Sequence, residues 1–395
     1  SFAALGVNLQ WGYAGLFSVG TMGFTALGGL AVVLISAMPN TENWQAGGPG
    51  ILLALVLGAL SVMAAIFAWR RLPRGRMRTL AVAAIMVGGF FLFRAVFDPN
   101  VMAAEAINPQ FAGNLGGLGL PSLVAWPDGG LLAALAAWGS GKSALGLRSD
   151  YLAIATLGIA EIIVSITKNE DWLARGVKNI IDLPRPWPVP YEVELQQDPG
   201  FLDLVARWGL DPVTASTIGV KLLYAGMFGL VLAAIIWAFE RALNSPWGRM
   251  MRAIRDNEVS AAAMGKDVTG RHLQVFVLGS AVVGFAGAMM TSMDGQLTPG
   301  TYNPLRFTFL VWVMVIVGGS GNNWGTVLGG LLIGWLWLVV ENIGPNIMEF
   351  VTAPFPDSAL KAHLLGSAEH MRLLTMGVIL LLVMRFSPRG LIPEK

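Results

Sequence analysis

Three arginines at three-residue spacing, Arg249, Arg252 and Arg255, and one carboxylate set deep in an apolar run, Glu161, are the residues of this 395-residue sequence whose type and spacing could do work. On a helix the arginines share a side, as a cationic face offered to a partner would. Glu161 stands in DYLAIATLGIAEIIVSI. A charge there costs about 2.5–3.5 kcal/mol on insertion scales, so it is expected to face the bundle interior or water and to pair there. A structural hydrogen bond to a neighbouring helix explains it equally well. Thr156 lies five residues earlier, on another helical face. Catalysis has little to work with. The absence of cysteine excludes disulfides, thiolate catalysis and Cys-type metal sites, and His272, His363 and His370 are too scattered for a cage. No clustered nucleophile or metal constellation favours a membrane-embedded enzyme.

Two glycine-rich strings imitate nucleotide sites and fail. WGSGKSALG at 138–146 would be a phosphate loop only with glycine at position 136, where Ala136 stands, and it follows an apolar helical run instead of a strand. GGSGNNWG at 318–325 carries Trp324 where the third glycine of a dinucleotide fingerprint belongs, and reads as a tight turn.

The elements that must position these residues are membrane spans. Hydrophobic residues make up 55% of the chain and charged residues 13%, too little charge to cover a soluble surface of this size. The net charge of +2 gives no argument for nucleic acid. Apolar segments lie at 14–37, 51–69, 79–97, 129–147, 151–167, 217–240, 272–293, 305–318, 323–342 and 371–386. The fold class is therefore all-α, a polytopic bundle of about ten transmembrane segments in one domain, 1–395. Segments 151–167 and 305–318 sit at or below the length that crosses about 30 Å of hydrocarbon, so they are tilted, partly buried or discontinuous. Loop charge alternates along the chain. Arg70, Arg71, Arg74, Arg76 and Arg78 mark one side, Asp98, Glu105 and Asp128 the other, Lys142 and Arg148 the first again, and the tail carries Arg385, Arg389 and Lys395. By the positive-inside rule, ten segments put both ends in the cytoplasm. No cleavable signal peptide is visible, and Ser1 opens inside an apolar run, so residues upstream are expected.

Between two spans lies LNSPWGRMMRAIRDNEVSAAAMGKD, residues 243–267. Ser245 suits a helix N-cap, Pro246 the first helical position and Gly265 the C-terminal end, while Met250, Ile254 and Ala261 offer an apolar contact surface. The interval is either a cytoplasmic helix at 244–267 presented to a soluble partner or an ordinary basic loop. The polar interval 168–216 is expected outside. Its Pro184, Pro186, Pro188 and Pro190 hold the backbone extended, in a linker or a binding arm. Small residues four apart (Ser280, Gly284, Ala288; Gly325, Gly329; Gly330, Gly334) permit close helix packing. Tyr13–Gly29 is glycine-dense enough to break a helix within the membrane, which is tolerated against protein or a water-filled path.

Taken together, GYAGLFSVG, SDYLAIATLGIAEI, SPWGRMMRAIRDNEVSAAAMGKDV, GFAGAMMTSMDGQLTPGTY, VGGSGNNWGTVLGG and RFSPRGLIP resemble the LivM-type permease of bacterial branched-chain amino acid ABC importers, in order and over most of the chain. The resemblance implies a permease related to type II importers, with a substrate path between two permease subunits, in the bacterial cytoplasmic (inner) membrane. It implies no catalysis by this chain. The implied partners are two ABC ATPase subunits that bind ATP and Mg, a second permease subunit of the LivH type, and a periplasmic amino-acid-binding protein. It makes 245–265 a coupling helix, with Arg249, Arg252, Ala253, Arg255, Glu258 and Gly265 as contacts. In the fifth span Asp150, Tyr151, Thr156, Gly158 and Glu161 match the family motif, and Gly20, Thr156, Gly158 and Glu161 are its candidates for the path. ARGVKNIID replaces a Gly-Gly-x-Asn-Gly element of the family, and 51–97 exceeds the family plan by two spans. Urea or short amides as cargo, and an ion-coupled secondary transporter, are the alternatives. The second would carry chained intramembrane carboxylates and histidines, whereas Glu161 stands almost alone.

Overall fold

The computed structural model describes residues 1–107, 113–146, 149–353 and 359–394. Helix α1 (Phe2–Val7) runs into a π-helical turn, Asn8–Tyr13, and an extended stretch leads to α2 (Thr21–Ser36). Next come α3 (Thr41–Arg71), α4 (Arg76–Glu105), α5 (Ser122–Ala144) and α6 (Ser149–Asn169), then short α7 (Asp171–Ala174), α8 (Glu192–Gln197) and α9 (Pro199–Arg207). After them stand α10 (Pro212–Leu243), α11 (Pro246–Asp256), α12 (Glu258–Ala263), α13 (Val268–Asp294), a second π-helical turn (Leu305–Phe309) with α14 (Leu310–Gly318), α15 (Asn323–Thr352), α16 (Ala359–Gly366) and α17 (Met371–Phe386). Among the described residues the only β pairing is an isolated bridge, Ile180 to Leu297. Among the described residues six helices (α3, α4, α6, α10, α13, α15) are long and apolar enough to cross a membrane and three apolar ones (α2, 305–318, α17) are shorter, while α5 covers the expected segment 129–147.

The first expected segment needs correction. Residues 15–20 are not helical: Gly15 has φ +70°, and helix resumes only at Thr21. The break anticipated from the glycine density is thus real. The residues before it, α1 and its π turn, form a further buried helical piece packed along α13.

The centre of the bundle is α2, α5 and α13, brought together by the absence of side chains. A Cβ on Gly28 would collide with the Gly284 carbonyl, and one on Gly284 with the Gly129 carbonyl and Ala133. Without a hydrophobic drive between helices in lipid, this closeness is what supplies dispersion contacts. Gly325 and Gly329 likewise lie against Gly318 and Met314, Gly330 lies against Ser1, and a Cβ on Gly334 would meet nothing among the described residues. The α3–α4 hairpin packs mostly on itself and joins the rest at one end, where Phe97 meets Trp172 with ring centroids 5.7 Å apart.

Loops assigned to one side by charge meet at one end of the bundle. At the basic end Arg255 pairs with Glu394 at 2.8 Å, Asn322 Nδ2 donates to the Pro393 carbonyl at 3.2 Å, and the Leu391 amide donates to the Val317 carbonyl at 2.9 Å. At the opposite end the Leu115 amide donates to the Trp172 carbonyl at 3.0 Å, and residues 180–183 pair with 295–297. Arg148 and Lys395, two of the charges used for sidedness, lie outside the described residues. The insert between α6 and α10 is ordered around Arg185, which pairs with Glu192 at 2.8 Å, donates to the Pro190 carbonyl at 3.0 Å and lies over the Tyr191 ring.

Candidate functional site

At the basic end the polar interval folds as two helices, where one was expected. Ser245 Oγ accepts the Trp247 amide at 3.2 Å and Pro246 opens α11, as the sequence predicts. The helix then stops at Asn257 (φ −157°, ψ 96°), whose Oδ1 accepts the Ser260 amide at 2.9 Å and starts α12. Asparagine competes with the helical backbone in this way, which is why a run that looks continuous divides there. Gly265, with φ +77°, turns the chain toward α13.

The arginines flank the buried side of α11, and only Arg249 of the three is exposed. Gly248, Met251 and Ile254 form the buried side of α11. Arg252, beside it, donates to the Leu243 carbonyl at 3.0 Å, and Arg255 donates to the Gly12 carbonyl and pairs with Glu394 and Asp256. These two tie the helix pair to the bundle. Arg249, Ala253, Glu258 and Gly265 remain exposed, with Val259 and Met264 each 80% exposed. Met250, Ala253, Ile254, Ala261 and Met264 line an apolar cleft of about 330 Å³ between the two helices. An apolar cleft on a polar, lipid-excluded projection is suited to receive a protein side chain.

The second constellation is the break itself. An extended stretch exposes backbone amides and carbonyls, and within a membrane each must find a protein partner. The Val19 amide donates to Thr156 Oγ1 at 3.0 Å, the Thr308 hydroxyl donates to the Val19 carbonyl at 3.2 Å, and the Met22 amide donates to Thr308 Oγ1 at 3.3 Å. Trp312 Nε1 donates to the Ser18 carbonyl at 3.2 Å, and its ring packs between Trp11 and Phe17. A Cβ on Gly20 would crowd the Thr156 carbonyl at 2.8 Å. Thr156, 2% exposed, and Gly20 are therefore parts of a clip. Beside it runs an open apolar groove of about 360 Å³ bordered by Phe17, Val19, Leu157, Leu305, Phe309 and Trp312.

Gly158 and Glu161 lie elsewhere, on the exposed face of α6 with Ile154 and Ile162. Glu161 does not enter the interior of this chain. It stands one helical turn beyond Leu157 of the groove. A carboxylate there is costly against lipid, so this face is built for water or a protein partner. Thr156 and Glu161 occupy different faces, as their five-residue separation predicts. Tyr151 is exposed at the start of α6, and the side chain of Asp150 lies outside the described residues.

Several anchoring residues escaped the sequence reading. Asn8, fully buried, donates to Asn323 Oδ1 at 3.2 Å and accepts the Gly321 amide at 2.8 Å; Asn323 Nδ2 donates to Glu240 at 3.0 Å. Gln10 Nε2 donates to the Phe276 carbonyl and to Ser280 Oγ, each at 3.0 Å. The available signal was two amides inside an apolar run, which must be satisfied within protein.

Residues 74–384 match the family model described as branched-chain amino acid transport system, permease component. A probable branched-chain amino acid transport permease protein LivM from Methanocaldococcus jannaschii is 27% identical over 369 residues, 92% of this chain and 90% of that protein. The high-affinity branched-chain amino acid transport system permease protein LivM of Escherichia coli K12 is 26% identical over 271 residues, 68% of this chain and 56% of that protein. The Salmonella typhimurium protein of the same name is also 26% identical, over 267 residues, again reaching 56% of its length. No solved structure matches the chain at comparable significance. With a match over most of its length and a bundle of apolar helices to carry it, this multi-pass membrane protein belongs to the permease-component family of branched-chain amino acid transport systems.

Proposed function

We propose that this chain is one permease subunit of an ATP-driven importer for branched-chain or other hydrophobic amino acids in a cytoplasmic membrane. The observation that carries this reading is the α11–α12 pair: a lipid-excluded projection with an apolar cleft, tied through Arg255 to the backbone at Gly12, three residues before the turn at Gly15. An ATPase subunit that grips the cleft therefore pulls directly on the broken segment beside the membrane groove. ATP and Mg are held by that partner, and a second subunit of the same kind serves the companion permease. The companion permease packs against the α6 face bearing Gly158 and Glu161, and the path runs between the two. A binding protein delivers cargo at the insert end. The apolar lining of the groove favours an aliphatic side chain over urea or a short amide.

The test is Ala253→Glu combined with Met264→Glu, which puts charge into the cleft without touching Arg252 or Arg255. Co-purification of ATPase subunits and ATP-driven uptake are expected to be lost together while the permease stays folded. Retention of both would overturn the docking assignment.

A further inference from the structure

At the insert end a polar cavity of about 270 Å³ opens between the end of α13 and the π-helical turn before α14, the same turn that supplies Leu305 and Phe309 to the groove and Thr308 to the clip. Asp294 stands on the α13 wall and Arg306 on the other, with the hydroxyls of Thr291 and Tyr302 between them, 3.2 Å apart. Met290 and Phe307 give it an apolar patch. Among the described residues neither Asp294 nor Arg306 has an ion-pair partner, although they line one cavity and could have paired. The Asn303 side chain accepts the Arg306 amide at 2.9 Å and fixes the start of the π turn, Gly295 at φ +65° ends α13 just after Asp294, and both charged residues are exposed at the cavity.

Two opposite charges that line one small cavity, neither of them in an ion pair among the described residues, suit a ligand that carries both. We infer that this cavity is an entry subsite for a zwitterionic α-amino acid, with Asp294 receiving the ammonium, Arg306 the carboxylate, and Met290 and Phe307 the start of an aliphatic side chain. Ionised partners on both ends of the ligand make strong, directional hydrogen bonds. The helix ends add the same polarity, since the C-terminus of α13 favours a cation and the start of the 305–318 helix an anion. A neutral amide such as urea leaves both charges unmet. The inference rests on the importer reading and adds to it the place where the cargo's amine and acid are first held.

The experiment uses the permease assembled with its partner subunits in nanodiscs, without binding protein and without ATP, and reads saturation transfer to three probes: leucine, 4-methylpentanoate, which lacks the amine, and 3-methylbutylamine, which lacks the carboxylate. Leucine is expected to bind best. Asp294→Asn and Arg306→Gln should each weaken leucine roughly tenfold or more, the weight of one hydrogen bond to a charged group. Asp294→Asn should leave 4-methylpentanoate unaffected, and Arg306→Gln should leave 3-methylbutylamine unaffected. That crossed pattern cannot come from loss of folding. Unchanged leucine binding in both variants, or an equal loss of all three probes, overturns the subsite. In a second arm with binding protein added, loss of its docking in either variant with leucine binding untouched would also overturn the subsite and make the cavity a docking point. ATPase co-purification scored on the same preparations separates the outcomes: its absence sinks the importer reading and leaves the probe pattern to be judged by itself.

Discussion

Thr156→Val keeps the shape of the side chain and deletes one hydroxyl. That oxygen accepts the Val19 amide at 3.0 Å and passes its own proton to the Ala153 carbonyl at 3.0 Å, in a side chain 2% exposed. The Ala153 carbonyl still has its helical partner in the variant, so nothing is lost within α6. The Val19 amide has no such reserve. Left without an acceptor in a dry interior, it costs about 1–3 kcal/mol, all of it charged to the extended stretch between Gly15 and Gly20. Opening of that stretch should become roughly 5- to 150-fold more frequent. Amide exchange read by mass spectrometry on a peptide covering 14–22 measures this, with Thr156→Ser as the control that keeps the hydroxyl. The valine variant should exchange faster and transport less, and the serine variant should follow the native protein. Native exchange in Thr156→Val would refute the clip. Native exchange with altered substrate preference would go further and return Thr156 to the path, where the family motif alone would put it.

Gly284→Val drives a side chain into the Ala133 methyl and the Gly129 backbone carbonyl, both fixed to a neighbouring helix, so a cost above about 3 kcal/mol and loss of monodisperse protein in detergent are expected; an unchanged gel-filtration profile would contradict the packing. For Glu192, partial burial raises the pKa, but a backbone amide and Arg185 outweigh it and hold the carboxyl below its ordinary value. A depressed carboxylate stabilises at neutral pH and loses that contribution as pH falls through the depressed value, so proteolysis at 184–192 should rise on acidification, and Glu192→Gln should flatten the response. Glu394→Gln removes an ion pair whose side chains are 24% and 30% exposed, worth less than about 1 kcal/mol, and should show as faster proteolytic trimming of residues 387–394 without loss of helix content.

What the sequence disclosed and what it withheld divide along one line: whether a residue answers to lipid or to a neighbouring segment. The apolar helices and the grouping of loops were legible because hydrocarbon thickness and loop charge act on each segment alone, and the contacts at the basic end join the loops that charge had grouped. The break before α2 was legible for the same reason, since the glycines that permit it are local, although its consequence, a helix starting only at Thr21, was not. Side-chain roles depended on partners far along the chain. Arg255 reaches Gly12, 243 residues away, and Glu394, 139 residues away, and no spacing rule within 243–267 could foresee an acceptor at either place. The family motif grouped Thr156 with Glu161, yet one is sealed behind the extended stretch and the other faces out of the chain. A residue exposed in one subunit of an assembly is not thereby idle. For a carboxylate in a span, exposure within the chain leaves its environment to water or to another chain, and under the importer proposal the α6 face is where a companion subunit is to be sought.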